Sequence, residues 1–492
     1  MRRREYAPLA LLTGAAFAFY AVYSVSRYQT YLTAGYDLGI FDQAVRAYAH
    51  FQSPIVPLKG ASYNVLGDHF HPIIALIAPL YWIWDNPCVL LIVQAALIAA
   101  SIPVVYRFAR RRTAATLSLL IGGAFAIGWA FQAMIDFDFH EIAFAVPIAA
   151  LAIDALDRRA DRQLLVCCGL LLLVREDMGT VVVVLGIIRL LAGWRDQPKW
   201  PGLTLIAAGL VGYLLATAVF IPFFAPNGQF NYWTYPAFGP NLPSALLDIL
   251  TRPWHAADVF FTPWVKTQTL LYLFAPLAFL PLRSRYAPIA LPLLAERFFN
   301  SRDLLWTTHY HYNALPWTVL TLAMIDGAAR LHVFRWRPTY YLLAAWLVFG
   351  PFWITQYSTV PTNPLQRVLS ANVFTATPVS RASAKLTSIV PSDVCVAVDD
   401  RLAPHLTRRD YVTLADDQFG TADFVALDMN YPDVGNFGPS PGYVYSQFVA
   451  AGYRAIFNQS GVILLQSPHY SGPSSACEPA GPGKGGANLS VP

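Results

Sequence analysis

Two carboxylates stand close together in Tyr36-Asp37-Leu38-Gly39-Ile40-Phe41-Asp42-Gln43, at the head of an amphipathic run. A carboxylate can take a proton from a hydroxyl, hold a cation or cap a helix. From Ile40 the apolar and aromatic positions 40, 41, 44, 45, 48 and 51 recur at helical spacing, so the run reads as a helix lying against an apolar surface, too polar to span it. On one continuous helix Asp37 and Asp42 would sit roughly 140° apart. The spacing therefore predicts Asp37 in the entering loop or at the N-cap, and Asp42 on the helix beside Arg46 at i+4. A capping Asp and a surface ion pair is the alternative to two catalytic carboxylates.

Further groups with chemical capacity follow. Asp68, His69 and His71 lie in Gly67-Asp68-His69-Phe70-His71-Pro72, at the mouth of a short apolar stretch. They could hold a metal or merely anchor at headgroups. In Asp136-Phe137-Asp138-Phe139-His140-Glu141 the Asp, Asp and His alternate with Phe, so an extended strand would set 136, 138 and 140 on one side as hard-metal or phosphate-edge ligands. A solvated loop cap is the other reading. Arg175-Glu176-Asp177 falls at the turn of an apolar hairpin, where charges must be paired or solvated. Either Arg175 neutralises its neighbours, or Arg175 binds a phosphate while a carboxylate helps to hold a metal. His309 and His311 alternate with Tyr310 and Tyr312, which also fits an interfacial aromatic belt.

The elements that must position these groups belong to a membrane. The chain has 492 residues, 56% hydrophobic and only 13% charged, and its mean hydropathy is +0.43, far outside soluble usage. The net charge of +5 lies mostly in short Arg clusters between apolar runs, so it carries topology and no nucleic-acid footprint. There is no zinc spacing, no Gly-rich phosphate loop and no internal repeat. Cys88, Cys167 and Cys168 fall in apolar runs; Cys395 and Cys477, in the polar tail, could pair if that tail is extracytoplasmic.

Met1-Arg2-Arg3-Arg4 precedes an apolar run over residues 7–25, read as an uncleaved first span with its Arg end in the cytoplasm. Residues 26–87 then form a large first outer loop, within which 72–84 is too short to cross and dips in or lies at the interface. Alternating Arg-rich and Arg-poor connections give about eleven spans by the positive-inside rule, N-terminus in and C-terminus out. The weakest part is the hairpin around 175–179. The expected fold is thus a polytopic α-helical membrane protein over 1–358, followed by a small extracytoplasmic α/β domain over 359–470 and a Pro-, Gly- and Ser-rich disordered tail over 471–492. Buried strands are expected at 394–398, 424–427 and 462–465, and a helix at 440–451.

This topology places every cluster above at one membrane face of the plasma (inner) membrane. The spans keep few strong charges, with Gln94 the main polar exception, whereas a secondary transporter more typically carries ionisable groups near the midplane. A site built at the outer surface is the better reading. A transporter or flippase for a lipid-linked or polar solute, with these residues lining its vestibule, is the alternative from another class, and a noncatalytic assembly or sensor protein is a third.

The set Asp37-Leu38-Gly39-Ile40-Phe41-Asp42-Gln43, Asp68-His69-Phe70-His71-Pro72, Asp138-Phe139-His140-Glu141, Arg175-Glu176-Asp177 and His309-Tyr310, with Ala403-Pro404-His405-Leu406 in the tail domain, resembles the prokaryotic predicted membrane proteins catalogued as domain of unknown function 2079. The departures are His71 in place of a Ser-like residue, Glu141 in place of Pro and Arg175 in place of Lys. That family is distantly similar to the GT-C glycosyltransferases, which have many spans, a large first outer loop with an amphipathic helix, and an acidic residue just after the first span. The resemblance implies a transferase that moves a sugar from a polyprenyl-phosphate donor to an extracytoplasmic glycan, lipid or protein acceptor, its partners being membrane lipid and that donor, with no nucleic acid. It implies Asp37 as the base, with Asp42 the second catalytic carboxylate. Arg175, Glu176, Asp177, His309 and His311 would bind substrate. Asp68, His69, His71, Asp138 and His140 are candidate ligands of a divalent magnesium or manganese ion.

Overall fold

The structure, a computed structural model, describes residues 3–192, 198–357, 373–416, 422–435 and 438–473. Among these residues four helical segments are long and apolar enough to cross a membrane, Tyr6–Gln29, Cys88–Arg110, Ala115–Ile135 and Trp200–Phe224. Other apolar helices are shorter, such as Ile142–Asp157 and Met178–Ala192. The expected count of about eleven spans is therefore not reached by length and composition. Residues 72–84 are too short to cross, as expected: a 3-10 turn over Pro72–Ile77 leads into a single helical turn, Ala78–Tyr81, and Leu76, Leu80, Trp82, Ile83 and Trp84 stay exposed.

Polar residues gather at the two ends of the same helices. Helix Cys88–Arg110 carries Gln94 near one end and Arg107 near the other, about 20 Å apart at 1.5 Å per residue. At the second end the Arg clusters meet acidic partners, from a neighbouring helix for Arg107 with Asp154 at 2.6 Å and Arg112 with Asp157 at 2.5 Å, and from one turn back on its own helix for Arg330 with Asp326 at 2.8 Å. These are the Arg groups from which the positive-inside reading was built. The first end holds the candidate site.

The hairpin around 175–179 is two helices, Asp161–Leu171 and Met178–Ala192, clamped at their far ends by Arg189 on Asp161 at 2.6 Å. Helix Met178–Ala192 packs against Trp200–Leu215 at very short range: a Cβ on Gly202 would lie 2.9 Å from the Gly186 carbonyl oxygen and 2.9 Å from Leu190 Cβ. Small residues let two backbones approach this closely, which is how apolar helices gain contact where no hydrophobic drive separates them from lipid. The aromatic, Pro-rich stretch after residue 225 contains two helices, Leu242–Thr251 and Pro253–Phe261. Asn241 and Ser244 form a capping box on the first, a start signal that the surrounding prolines obscure.

The C-terminal region is a five-stranded mixed sheet with strands β1 Cys395–Val398, β2 Tyr411–Leu414, β3 Phe424–Asp428, β4 Arg454–Gln459 and β5 Val462–Gln466, in the order β2-β1-β3-β5-β4. β2, β1 and β3 are parallel, with Val396 opposite both Val412 and Phe424, and the β3–β5 and β5–β4 pairs are antiparallel. The expected strands are β1, β3 and β5, which are continuous apolar runs because the sheet covers them on both faces. Helix Pro441–Ala450 matches the one expected at 440–451, capped by Ser440. Helix Pro378–Ile389, β2 and β4 were not expected; β4 is largely exposed and has no apolar run to betray it. The expected boundary at 358/359, Cys477 and most of the 471–492 tail lie outside the described residues.

Candidate active site

The first helix, Arg3–Gln29, ends in Arg27, whose guanidinium turns back to Asp138 at 2.5 Å and to Asp136 at 3.4 Å. Asp138 also accepts the backbone N–H of Ala34 at 2.8 Å. One buried carboxylate thus ties the end of the first helix to the stretch that leads into Asp37. Asp37 itself lies in a single wide turn, Gly35–Gly39, and the amphipathic helix follows as Ile40–Ala49. Asp42 sits on that helix as the spacing predicts, with Arg46 at 2.9 Å, but Asp42 is buried, the Tyr81 hydroxyl donates to it at 2.8 Å, and the half-buried Arg46 also pairs with Asp85. All of Asp42's visible valence is structural.

The 136–141 segment is held from below by Gln94, whose side-chain oxygen accepts the His140 N–H at 2.9 Å and whose amide donates to the Asp138 carbonyl. His140 Nδ1 lies 2.6 Å from Glu141. His311 comes from the other side of the bundle and stacks on His140, ring centroids 3.4 Å apart. Its loop is fixed by Arg297, which donates to the carbonyls of Leu305 and Tyr312 and, at 2.9 Å, to the Asn313 side chain.

Asp37, His140 and His311 each offer a ligand atom, and these atoms all lie within 4.8 Å of one another. Burial pushes the Asp37 carboxyl up to about 6, against the pull of His140. Burial and the facing His140, Arg175 and Arg297 push His311 well below the usual imidazole range. Neither ring nitrogen of the buried His311 has a hydrogen-bond partner among the described residues. An orphaned neutral imidazole beside a carboxylate and a second imidazole is a donor set suited to a divalent cation that accepts nitrogen ligands.

Beside this trio lies a second charge network. Arg175 grips Asp177 with two hydrogen bonds, at 2.8 and 2.5 Å, and its NH1 stands 3.7 Å from Glu141. Glu141 is held down at about 2 despite its burial, by His140 and Arg175. Glu176 takes His69 Nδ1 at 2.6 Å and the Phe70 N–H at 3.1 Å. Burial disfavours the His69 cation, yet Glu176 raises it to about 9. His69 also stacks on Tyr232, centroids 4.2 Å apart, and the Tyr232 hydroxyl donates to Asp68, which pairs with Lys59.

The sequence-predicted residues therefore separate. Asp37, His140 and His311 meet; Arg175, Glu176, Asp177 and His69 adjoin them. Asp68 is engaged by Lys59 and Tyr232, Asp138 by Arg27 and Ala34, and Asp42 by Arg46 and Tyr81. His71 is buried against Phe41, centroids 5.5 Å apart. His309 stays at the rim, partly exposed, its N–H donating to Thr307 at 3.3 Å. Four contributors were missed as such: Arg27, Glu141, and the Glu296–Arg297 pair. Glu296 hydrogen-bonds Asp177. Two adjacent ionisable residues inside the apolar run of helix Ala290–Phe299 were a readable signal, since such a residue there needs a partner; they join Gln94, the main polar exception of the sequence reading.

Residues 27–464 match the model of the family described as "Predicted membrane protein (DUF2079)". The chain belongs to that family and is a membrane protein. No curated protein matches it by sequence. Among solved structures it is similar to ArnT from Cupriavidus metallidurans bound to undecaprenyl phosphate, at 12% identity and a TM-score of 0.51, over 94% of this chain and 99% of that one. ArnT from the same organism in the apo state gives 12% identity and a TM-score of 0.47, over 93% and 97%. At this identity the likeness is one of fold.

Proposed function

We propose that this member of the DUF2079 family is a GT-C-type membrane glycosyltransferase that moves a sugar from a polyprenyl-phosphate donor to an acceptor on the extracytoplasmic side, within a bundle of about eleven spans. The observation that carries the reading is the meeting of Asp37, His140 and His311 within 4.8 Å at one end of the helix bundle. The fold shared with a protein that binds undecaprenyl phosphate supports it.

In the proposed reaction the acceptor hydroxyl oxygen attacks the anomeric carbon, and the bond from that carbon to the phosphate oxygen breaks. Polyprenyl phosphate leaves with the electron pair, the anomeric centre inverts, and the hydroxyl proton passes to Asp37. A carboxyl poised near 6 is largely ionised at neutral pH and still basic enough to assist. Arg175 and the His69 imidazolium, both close to the trio, are the proposed cations for the phosphate. His309 at the rim and the carboxylates Glu176 and Asp177 complete the proposed substrate-binding set, the last two by holding those cations in place. The expected metal set narrows to His140, His311 and one oxygen of Asp37, and two imidazoles favour manganese over magnesium. A cation there would offset negative charge on the departing phosphate.

The test is turnover of a polyprenyl-phosphate sugar by the full-length protein in lipid nanodiscs, with native mass spectrometry of the co-purified lipid. Asp37→Asn is expected to lower transfer by about 10² to 10⁴ while keeping the bound lipid phosphate. Full activity in Asp37→Asn would remove the base assignment. A folded, lipid-saturated sample without any polyprenyl phosphate would favour a transporter.

A further inference from the structure

The three residues before Asp37 expose consecutive backbone N–H groups, and all three are taken by partners remote in sequence. Ala34 donates to Asp138 Oδ2 at 2.8 Å, Gly35 to the Asp400 carbonyl at 2.7 Å and Tyr36 to Asp400 Oδ1 at 2.8 Å. Asp138 belongs to the helical bundle; Asp400 lies just past β1 in the C-terminal sheet. The approach is so close that a Cβ on Gly35 would stand 2.9 Å from Ala403 Cβ and 2.9 Å from Asp400 Oδ1. The Asp400 segment is itself braced: its N–H donates to the Val434 carbonyl at 2.8 Å, and the Asp399 N–H donates to Ala426 of β3 at 2.8 Å.

The same surface of the sheet domain is fastened to the bundle on both sides of this contact. His405 is stacked between Tyr28 and Tyr31, centroids 4.2 and 3.7 Å away, and the Tyr31 hydroxyl meets Thr387 at 2.8 Å. Gln43, on the helix after Asp37, donates to the Val412 carbonyl of β2 at 3.0 Å. The turn that carries Asp37 thus has no regular helix or strand before it to fix its backbone. Its geometry is set by one carboxylate from each body.

We propose that Asp400 is a positioning residue: through the Gly35 and Tyr36 amides, the C-terminal domain fixes where the Asp37 carboxylate stands relative to His140 and His311. This rests on the assignment of Asp37 as the base. It gives the C-terminal domain a part in the reaction without contact with substrate. Displacement of a reacting group by about an ångström costs rate far more than it costs binding.

The experiment compares the full-length protein with Asp400→Ala, Asp400→Asn and Gly35→Ala in nanodiscs. Two readouts are taken, amide hydrogen exchange over residues 34–39 and steady-state turnover of a polyprenyl-phosphate sugar. In Asp400→Ala, exchange at Tyr36 should accelerate about tenfold or more, because its hydrogen bond to a buried carboxyl oxygen is lost. The kcat should fall roughly ten- to a hundredfold with donor KM nearly constant. Asp400→Asn keeps an acceptor oxygen for Tyr36 and should restore both, a rescue that mere destabilisation would not show. Gly35→Ala, which forces Asp400 and Ala403 away, should lower kcat similarly and stands in if Asp400→Ala does not fold. Unchanged exchange in Asp400→Ala, or faster exchange with unchanged kcat, overturns the proposal. If the unsubstituted protein turns over no lipid-linked sugar, the transferase reading fails separately, and unchanged exchange in Asp400→Ala still refutes the hold on the turn.

Discussion

His140 and His311 stack face to face, ring centroids 3.4 Å apart and planes 22° from parallel, although they come from opposite parts of the chain. Two imidazoles this close cannot both carry charge without strong repulsion. His311, buried and without hydrogen-bond partners among the described residues, is the one kept neutral.

Manganese binding follows from that neutrality. Titration of the full-length protein with Mn²⁺, read by electron paramagnetic resonance, should show one site at neutral pH. His311→Ala and His140→Ala should each weaken it at least about tenfold. Affinity should drop as pH falls below about 6, where the Asp37 carboxyl takes up its proton. A site that survives both substitutions lies elsewhere.

The rate of transfer should track the ionisation of Asp37. Burial raises this carboxyl to about 6, so its basic form is nearly complete above that value and declines tenfold per unit below it. Without added divalent metal, a profile of kcat/KM against pH should therefore rise with unit slope to about 6 and level off; a cation bound to the same carboxylate should move the rise to lower pH. Loss of the general base in Asp37→Asn should lower the rate by about 10² to 10⁴. An acid limb that persists unchanged in a residual Asp37→Asn activity would belong to another group.

The His69–Glu176 pair predicts a stability change in the alkaline range. His69 is raised to about 9 in the folded protein, above the ordinary imidazole value of about 6.5. A raised cation stabilises fully below its unfolded value, and that stabilisation is lost as pH rises through the folded one. Thermal midpoints measured in detergent should thus fall between pH 6.5 and 9.5, and Glu176→Gln should flatten this part of the curve. An equal slope in Glu176→Gln would assign the loss to other residues.

Asp42 should matter for folding and little for chemistry. Its carboxylate is fully buried between Arg46 and Tyr81. Asp42→Ala takes from the half-buried Arg46 guanidinium one of its two carboxylate partners, Asp85 remaining, and leaves the Tyr81 hydroxyl without its acceptor, a cost of about 1–3 kcal/mol that should be seen as reduced yield and a lower unfolding midpoint. Asp42→Asn keeps an acceptor for Tyr81 and should retain transfer per folded molecule within about threefold. A far larger loss in well-folded Asp42→Asn would return this carboxylate to the catalytic set.

What the sequence determined by itself was everything carried by short-range periodicity. Composition set the membrane class, continuous apolar runs marked β1, β3 and β5, and the run from Ile40 located the amphipathic helix with Asp42 one turn from Arg46. These features depend on neighbours within a few residues, whose directions the backbone fixes. The edge strand β4 escaped because exposure leaves no pattern to read, and the helices after residue 240 because prolines mask their start.

The partition of the polar residues was decided only by tertiary structure. Alternation along 136–140 predicted one face shared by Asp136, Asp138 and His140, yet the backbone turns at Asp138, where φ is +83°. Asp138 then goes to Arg27 while His140 goes to His311 and Asp37. Nothing local distinguishes a carboxylate that braces a helix end from one that faces a reacting group. That difference arises when segments far apart in sequence pack and give each buried ionisable group its partners, as the Glu296 carboxyl, held protonated by burial, finds the Asp177 carboxylate and Asp400 finds Tyr36.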